Sequence, residues 1–401
     1  MRLPELPPVL VGPSAGRDPV FTWRGLHLDC ARTFFGTSCI KTVISLAARY
    51  GFNRLHWHLT DDEGWRFAVP GYPLLTQIGA TLPRQDFRFY QHLYGETRER
   101  AIVEAPGRWQ NGFYTDDDIQ DIVTHAASLG ITVIPEVDIP GHMAAAIASY
   151  PQLGRPDTVN PPSGSVRDGI YWPARNDLLW PTDAAADFVK ATVERIATLF
   201  PGVWIHIGGD ECAYKQWEAD PEILDWVRKR GVASVAQLQS WFIDQALEVS
   251  QRRGKRLAAW DEICALTGDE DFLVFVWNEA EGLERIRNTN QEFVFTDART
   301  LYLNRIDPKA SSPQKGMLPG ISVNDILAAP WEETANSRCV GVQACLWTEF
   351  ILDEADMAQM LFPRLLAVSE RMWNPRVDVF EAAQRVETEY HRLVAVGVFD
   401  S

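Results

Sequence analysis

Short apolar runs alternate along the chain with longer stretches in which apolar positions recur every third or fourth residue. The short runs read as strands: "TWRGLHLD", "RLHWHLTD", "TVIPEVDI", "VWIHIGGD", "RLAAWDE", "LVFVWNE", "EFVFTDA" and "VGVQACLWTE". The longer stretches read as helices. In "PTDAAADFVKATVERIATLF", Phe188, Val189, Val193, Ile196 and Leu199 fall on one helical face, with Thr182 or Asp183 placed to cap the start. "SVAQLQSWFIDQALEVSQRRG" repeats the pattern, and Gly254 is placed to end it. After the last strand, "DMAQMLFPRLLAVSERMW" predicts a closing helix interrupted at Pro363.

Strands alternating with helices predict a parallel sheet, and eight such units in one chain predict an α/β fold of the (β/α)8 or TIM barrel type. A doubly wound open sheet would place a glycine-rich phosphate loop after its first strand. The first strand here runs into "LHLDCAR", which has none. Two domains are therefore not needed: residues 1–20 are read as an N-terminal extension and 21–401 as the barrel with its C-terminal helices. Polar and aromatic residues gather at the ends of the strands: Asp61 and Asp62; Asp138 and His142; Asp210 and Glu211. Trp260 with Asp261 and Glu262, Trp277 with Asn278 and Glu279, Tyr302 with Asn304, and Trp347 with Glu349 continue the series. In a barrel all of these project at the carboxyl-terminal rim, where active sites are built.

The composition is globular, with 46% hydrophobic and 23% charged residues in 401. A formal charge of −16 disfavours nucleic acid and anionic membrane surfaces as partners and suits a neutral or cationic ligand. No stretch is apolar for long enough to span a membrane, and the first twenty residues lack the apolar core of a secretion signal. The six cysteines show no CxxC pairing, and together these features predict reduced thiols and a cytoplasmic location.

Within "HIGGDEC", Asp210 and Glu211 are adjacent. Acids at a rim rich in Trp suggest a sugar, because aromatic faces stack on pyranose rings while charged groups take the hydroxyls. His56 and His58 in "HWHL" form a conceivable zinc pair, but no third ligand stands at credible spacing, so no metal and no cofactor are expected. Ordinary glycosidases place two carboxyls across the anomeric carbon, which adjacent residues are poorly placed to do. Substrate assistance remains: a 2-acetamido oxygen attacks, one carboxylate orients it, and its neighbour protonates the leaving oxygen. Separate roles imply separated pKa values, with Glu211 raised and Asp210 ionised. Three Trp would wall the acetamido methyl, and a Tyr hydroxyl would hold its carbonyl.

These motifs resemble, in order, those of the β-N-acetylhexosaminidases of glycoside hydrolase family 20. "WRGLHLDCAR", "HWHLTDDEGWR", "IPEVDIPGH", "HIGGDE" and "ACLWTE" carry the likeness from about residue 21 onward. The resemblance implies that Asp210 orients the acetamido group, that Glu211 is the proton donor, and that Asp61 (or Asp62) and His142 support the acid. It further implies that Arg24 binds the 3- and 4-hydroxyls, that Trp260, Trp277 and Trp347 form the acetamido pocket, and that Tyr302 donates to its carbonyl. Asn304 would contact the 6-hydroxyl and Glu349 the 4-hydroxyl. Where many relatives have Glu in the last strand, this chain has Gln343, with little expected effect on chemistry.

The implied activity is exo-acting, retaining release of terminal β-linked N-acetylglucosamine or N-acetylgalactosamine from an oligosaccharide or glycoconjugate. Rival readings are a catalytically silent sugar-binding barrel and a disaccharide-releasing member such as a lacto-N-biosidase, with segment 155–176 as a candidate for shaping the rim. Most family members carry a further α/β domain ahead of the barrel. Only about twenty residues precede Arg24 here, which reads either as a barrel-only member or as a shortened chain; if a packing domain is missing, a second subunit in a homodimer is the expected cover for the barrel helices.

Overall fold

The structure is a computed structural model in which residues 8–15, 18–81, 112–155, 164–167, 170–173, 178–212, 214–229, 231, 234–266, 272–310, 316–331, 336–374 and 376–399 are described. Eight parallel strands close into a barrel: β1 Trp23–Asp29, β2 Arg54–His58, β3 Thr132–Glu136, β4 Trp204–His206, β5 Arg256–Trp260, β6 Leu273–Val276, β7 Phe293–Phe295 and β8 Cys339–Leu346. Each pairs with its successor, and β8 returns to β1 in a register running from Trp23 beside Gly341 to Leu28 beside Leu346. All eight coincide with apolar runs in the sequence. They are buried on both faces, one against the helices and one inside the barrel, so the runs are nearly continuous rather than alternating.

The outer layer follows the helical periodicity. Helix Asp183–Leu199 starts where Thr182 accepts the backbone N–H of Ala185, and turns Phe188, Val189, Val193 and Ile196 onto the barrel. Helix Gln237–Arg252 is followed by Gly254 at φ 66°, a left-handed residue that ends the helix. The closing segment is broken at Pro363 into helices Glu354–Leu361 and Arg364–Trp373. The expected N-terminal extension is partly built into this layer: Val11 is buried, and the Gly12 N–H donates to Glu370 Oε2 at 3.1 Å. The rim segment 155–176 falls mostly outside the described residues; its 164–167 and 170–173 portions pair antiparallel. Among the described residues no helix is long and apolar enough to cross a membrane.

Inside the barrel, side chains two apart along a strand stack from floor to rim. Ile134 lies below Glu136, His56 below His58, Ala258 below Trp260 and Cys345 below Trp347. Apolar groups fill the lower part, while titratable groups and Trp faces crowd the upper part. The buried Arg364 guanidinium donates to the carbonyls of Leu303 and Met360 at 2.8 and 2.7 Å, and to that of Arg305. It thereby pins the segment carrying Tyr302.

Candidate active site

A pocket of about 610 Å3 opens at the carboxyl-terminal rim, lined by Arg32, Asp61, His142, Asp210, Glu211, Trp260, Trp277, Tyr302, Met317, Trp347 and Glu349. These come from the ends of strands across the barrel and from the loops that follow, and nine of the eleven residues expected from the sequence are among them.

Asp210 and Glu211 are not on a strand. β4 stops at His206, and the chain turns through Gly208 and Gly209 at φ 64° and 89° before Glu211 takes φ 46°. A non-glycine residue in that region is uncommon and points to a functional constraint. The turn cancels the alternation of an extended chain and brings both carboxylates to the same side. His142 Nε2 lies 3.8 Å from Asp210 Oδ2 and 3.7 Å from Glu211 Oε2. His142 is itself held at φ 52° in the loop after β3. Gly208 has no room for a side chain: a Cβ there would lie 2.1 Å from Asp138 Oδ1, which accepts the Gly209 N–H at 3.1 Å.

Behind His142, its Nδ1 lies 3.2 Å from Asp61 Oδ1 and 3.4 Å from Asp62 Oδ2, so both acids of "TDD" face it. Burial works against its charge, but Asp61 and Asp138 outweigh that and raise the His142 pKa well above the usual imidazole range. Asp61 moves the other way: despite burial, Arg32 and His142 hold it well below the usual carboxylate range. Burial raises Asp210, with the nearby His142 only partly offsetting it. The cause is that its carboxylate gives up water on burial, which disfavours the charged form. Asp138 is raised well above the usual range by burial and by Asp210.

Trp260, Trp277, Trp347 and Tyr302 form the apolar side. Trp260 and Trp347 have ring centroids 5.8 Å apart, Tyr302 lies 6.2 Å from Trp347, and Trp277 stacks on Tyr302 at 6.4 Å. Trp277 is fixed by its neighbours: its backbone N–H donates to Asp261 Oδ2 at 3.0 Å and its Nε1 to Glu262 Oε2 at 3.2 Å. Burial, reinforced by Asp261 and Asp210, pushes Glu262 up to about 8.

Two expected ligands are placed elsewhere. Arg24 is near the amino-terminal start of β1, at the opposite end of the barrel from the rim. Its Nε and Nη1 donate to the Gly51 and Phe21 carbonyls, both at 2.6 Å, and its guanidinium lies over Trp373. The arginine in the pocket is Arg32, just past the carboxyl end of the same strand. It contacts Asp61 Oδ2 at 2.7 Å and Glu63 Oε2 at 3.1 Å, and lies over the Trp347 ring. The sequence held the signal: a residue that opens a barrel strand lies at the wrong end for substrate, and one that follows it lies at the right end. Asn304 is fully buried but does not line the pocket; its carbonyl accepts the N–H of Met317, which does. Met317 had no signal in the sequence.

The "HWHL" histidines also have company that linear spacing hid. His56, His58, His27 and His206 surround Glu136 inside the barrel, and the atoms of His27, His58 and Glu136, and of His56, Glu136 and His206, come within 4.8 Å of one another. Several of these contacts are short enough to be hydrogen bonds within the group, as between His58 Nδ1 and Glu136 Oε2 at 2.6 Å.

The sequence profile described as "Glycosyl hydrolase family 20, catalytic domain" matches residues 21–376. The chain belongs to glycosyl hydrolase family 20. Among curated relatives, this family 20 chain is 33% identical over 406 residues to a beta-hexosaminidase of Porphyromonas gingivalis, covering 98% of the chain and 48% of the relative. It is 30% identical to a beta-hexosaminidase of Vibrio furnissii, covering 88% and 56%. The chain therefore spans about half the length of these relatives. Among solved structures, the exo beta-N-acetylglucosaminidase of Vibrio harveyi in complex with N-acetylglucosamine matches with a TM-score of 0.80 at 29% identity, over 96% of this chain and 60% of that one. The Streptomyces plicatus N-acetyl-beta-hexosaminidase bound to thio-NAglucal matches with a TM-score of 0.75 at 28% identity, over 95% and 70%.

Proposed function

We propose that this family 20 chain is an exo-acting, retaining β-N-acetylhexosaminidase that releases terminal β-linked N-acetylglucosamine or N-acetylgalactosamine by substrate-assisted catalysis. The convergence of two adjacent carboxylates on one imidazole, opposite a wall of three Trp and a Tyr, carries this reading. Both acids approach a bound sugar from one side, which leaves the sugar's own acetamido oxygen to attack from the other.

In this mechanism Glu211 gives its proton to the glycosidic oxygen as the C1–O bond breaks, and the acetamido oxygen bonds to C1. The aglycone departs as an alcohol and an oxazolinium ion remains. Asp210 accepts the acetamido N–H and balances the developing positive charge; that hydrogen bond favours its ionised form against the effect of burial. Tyr302 is the hydroxyl donor for the acetamido carbonyl, and the Trp faces enclose the methyl. Glu211, now a carboxylate, takes a proton from water as the water oxygen attacks C1 and reopens the ring. Two inversions at C1 give net retention. Arg32 and Glu349 take the sugar hydroxyls on the far side of the pocket as charged hydrogen-bonding partners.

Asp210→Asn and Glu211→Gln are each expected to lower turnover by at least ~10², the usual scale of acid–base catalysis. For Glu211→Gln the loss is measured on a glycoside with a poor leaving group, which needs the acid. Near-normal turnover in either variant would contradict these roles.

A further inference from the structure

Glu136 sits at the centre of the barrel with 0% exposure, below the pocket and outside its lining. It is the second residue before Asp138 on the strand that leads to His142. An ionised carboxylate has about four lone-pair sites, and four ring nitrogens come within 3.1 Å of the Glu136 oxygens. Trp260 Nε1 donates to Oε1 at 2.9 Å, and His206 Nδ1 lies 2.9 Å from the same oxygen. His58 Nδ1 lies 2.6 Å and His56 Nε2 3.1 Å from Oε2. His27 Nε2 is further off, at 3.6 Å. The groups come from β1, β2, β4 and β5; from β8, Gln343 Nε2 meets the other face of His56 at Nδ1, 3.0 Å away, and Cys345 lies nearby.

His58 links this centre to the rim. Its Nδ1 faces Glu136 and its Nε2 lies 2.8 Å from Asp61 Oδ2. Ionised carboxylates only accept, so a ring between two of them carries both protons. The electrostatics agree: burial opposes its charge, but Glu136 and Asp61 raise His58 well above the usual range. Burial likewise opposes ionisation of Glu136, but His58, first among its neighbours, holds it well below. His56, bonded on Nδ1 by Gln343, is held well below the usual range by burial, which Glu136 does not overcome.

We propose that Glu136 and His58 are positioning residues that extend the Asp61–His142 pair into the barrel, so that Glu136, His58, Asp61 and His142 form one line of alternating charge ending at the proton donor Glu211. Glu136 fixes the His58 ring and its two protons, His58 and Arg32 together fix Asp61, and Asp61 fixes His142 beside Glu211. Neither Glu136 nor His58 touches the sugar. This proposal rests on the role given to Glu211 above.

The test is Glu136→Gln, which keeps the shape and one accepting oxygen for Trp260 but sets an NH2 group against the Nδ1–H of His58. Turnover is expected to fall about ten- to a hundredfold on an alkyl N-acetyl-β-glucosaminide, a part of the 10²–10⁴ that a general acid supplies. On the 2,4-dinitrophenyl glycoside it should fall by no more than about threefold, because that leaving group hardly needs the proton, and KM should be unchanged. His58→Gln breaks the same link from its other end and is expected to give the same split, so the test survives if one variant does not fold. Equal losses on both glycosides, or none, would overturn the proposal. An independent readout is the ring 15N spectrum at pH 8: the doubly protonated His58 signal, assigned by its absence in His58→Gln, should be lost in Glu136→Gln. Persistence of that signal would also overturn it. The spectrum does not depend on turnover, so it separates failure of this link from failure of the proposed function, which wild-type inactivity on both glycosides would reveal.

Discussion

Arg24 and Arg32 lie on the same strand and its exit, yet only Arg32 reaches the pocket, because only it follows the carboxyl end of β1. Losing charged hydrogen bonds of about 1.5–3 kcal/mol is expected to lower kcat/KM for Arg32→Ala by roughly ten- to a hundredfold. Arg24→Ala, which loses its bonds to Gly51 and Phe21, is expected to lower Tm and leave KM alone. Steady-state kinetics and a melt of the two proteins check this, and a raised KM in Arg24→Ala would restore the sequence-based assignment. Glu262 offers a second test at this scale. Its folded pKa is pushed up to about 8 by burial first and then by Asp261 and Asp210. Between the ordinary carboxyl range, about 4.3, and pH 8 the folded protein holds a proton that the unfolded chain has released, so stability falls as pH rises through that window. Glu262→Gln keeps an acceptor for Trp277 without that proton. Its stability relative to wild type is therefore expected to improve steadily from pH 5 to 8 in urea unfolding, and parallel curves would contradict the assignment. Residue identities at the rim were legible because Trp, Asp and Glu recur at strand ends. Contacts such as Met317 in the pocket, or Glu136 among four histidines, were not, because they join strands far apart in sequence.

Among the elements, the strands were the easiest to read, since burial on both faces gives continuous apolar runs, and Pro363 marked the break in the closing helix. The exit from β4 was harder. "VWIHIGGD" reads as strand up to the acids, but the strand ends at His206 and the next residues form a left-handed turn. That turn is what lets neighbouring carboxylates share one side of a pocket. Gly208→Ala is therefore expected to disrupt the site by displacing Asp138, in addition to about 1–2 kcal/mol for a left-handed non-glycine residue. Turnover should drop at least about tenfold, the loss expected when acid–base groups are displaced. Gly254→Ala shares the left-handed φ, 66°, but a Cβ there meets open space, so it should cost stability and leave turnover intact. Calorimetry and kcat on the pair separate strain from misplacement, and normal turnover in Gly208→Ala would contradict the role of the turn.

Across the whole molecule, the barrel gathers side chains from distant strands onto one axis, with apolar layers below, a charged hub around Glu136 in the middle, and the pocket above. Closure and strand order followed from eight alternating units without a phosphate loop. The tertiary convergence on Glu136 did not, since periodicity assigns faces rather than partners. What the layers produce at the top is a site with two carboxylates on one side and an apolar box on the other, the arrangement on which the proposed substrate assistance rests. The decisive measurement is the initial rate on chromogenic N-acetyl-β-glucosaminide, N-acetyl-β-galactosaminide and plain β-glucoside under the same conditions. Rapid release from one or both acetamido sugars and almost none from the glucoside is the expected result. Comparable release from the glucoside would mean that a protein carboxylate attacks C1, and substrate assistance would be wrong.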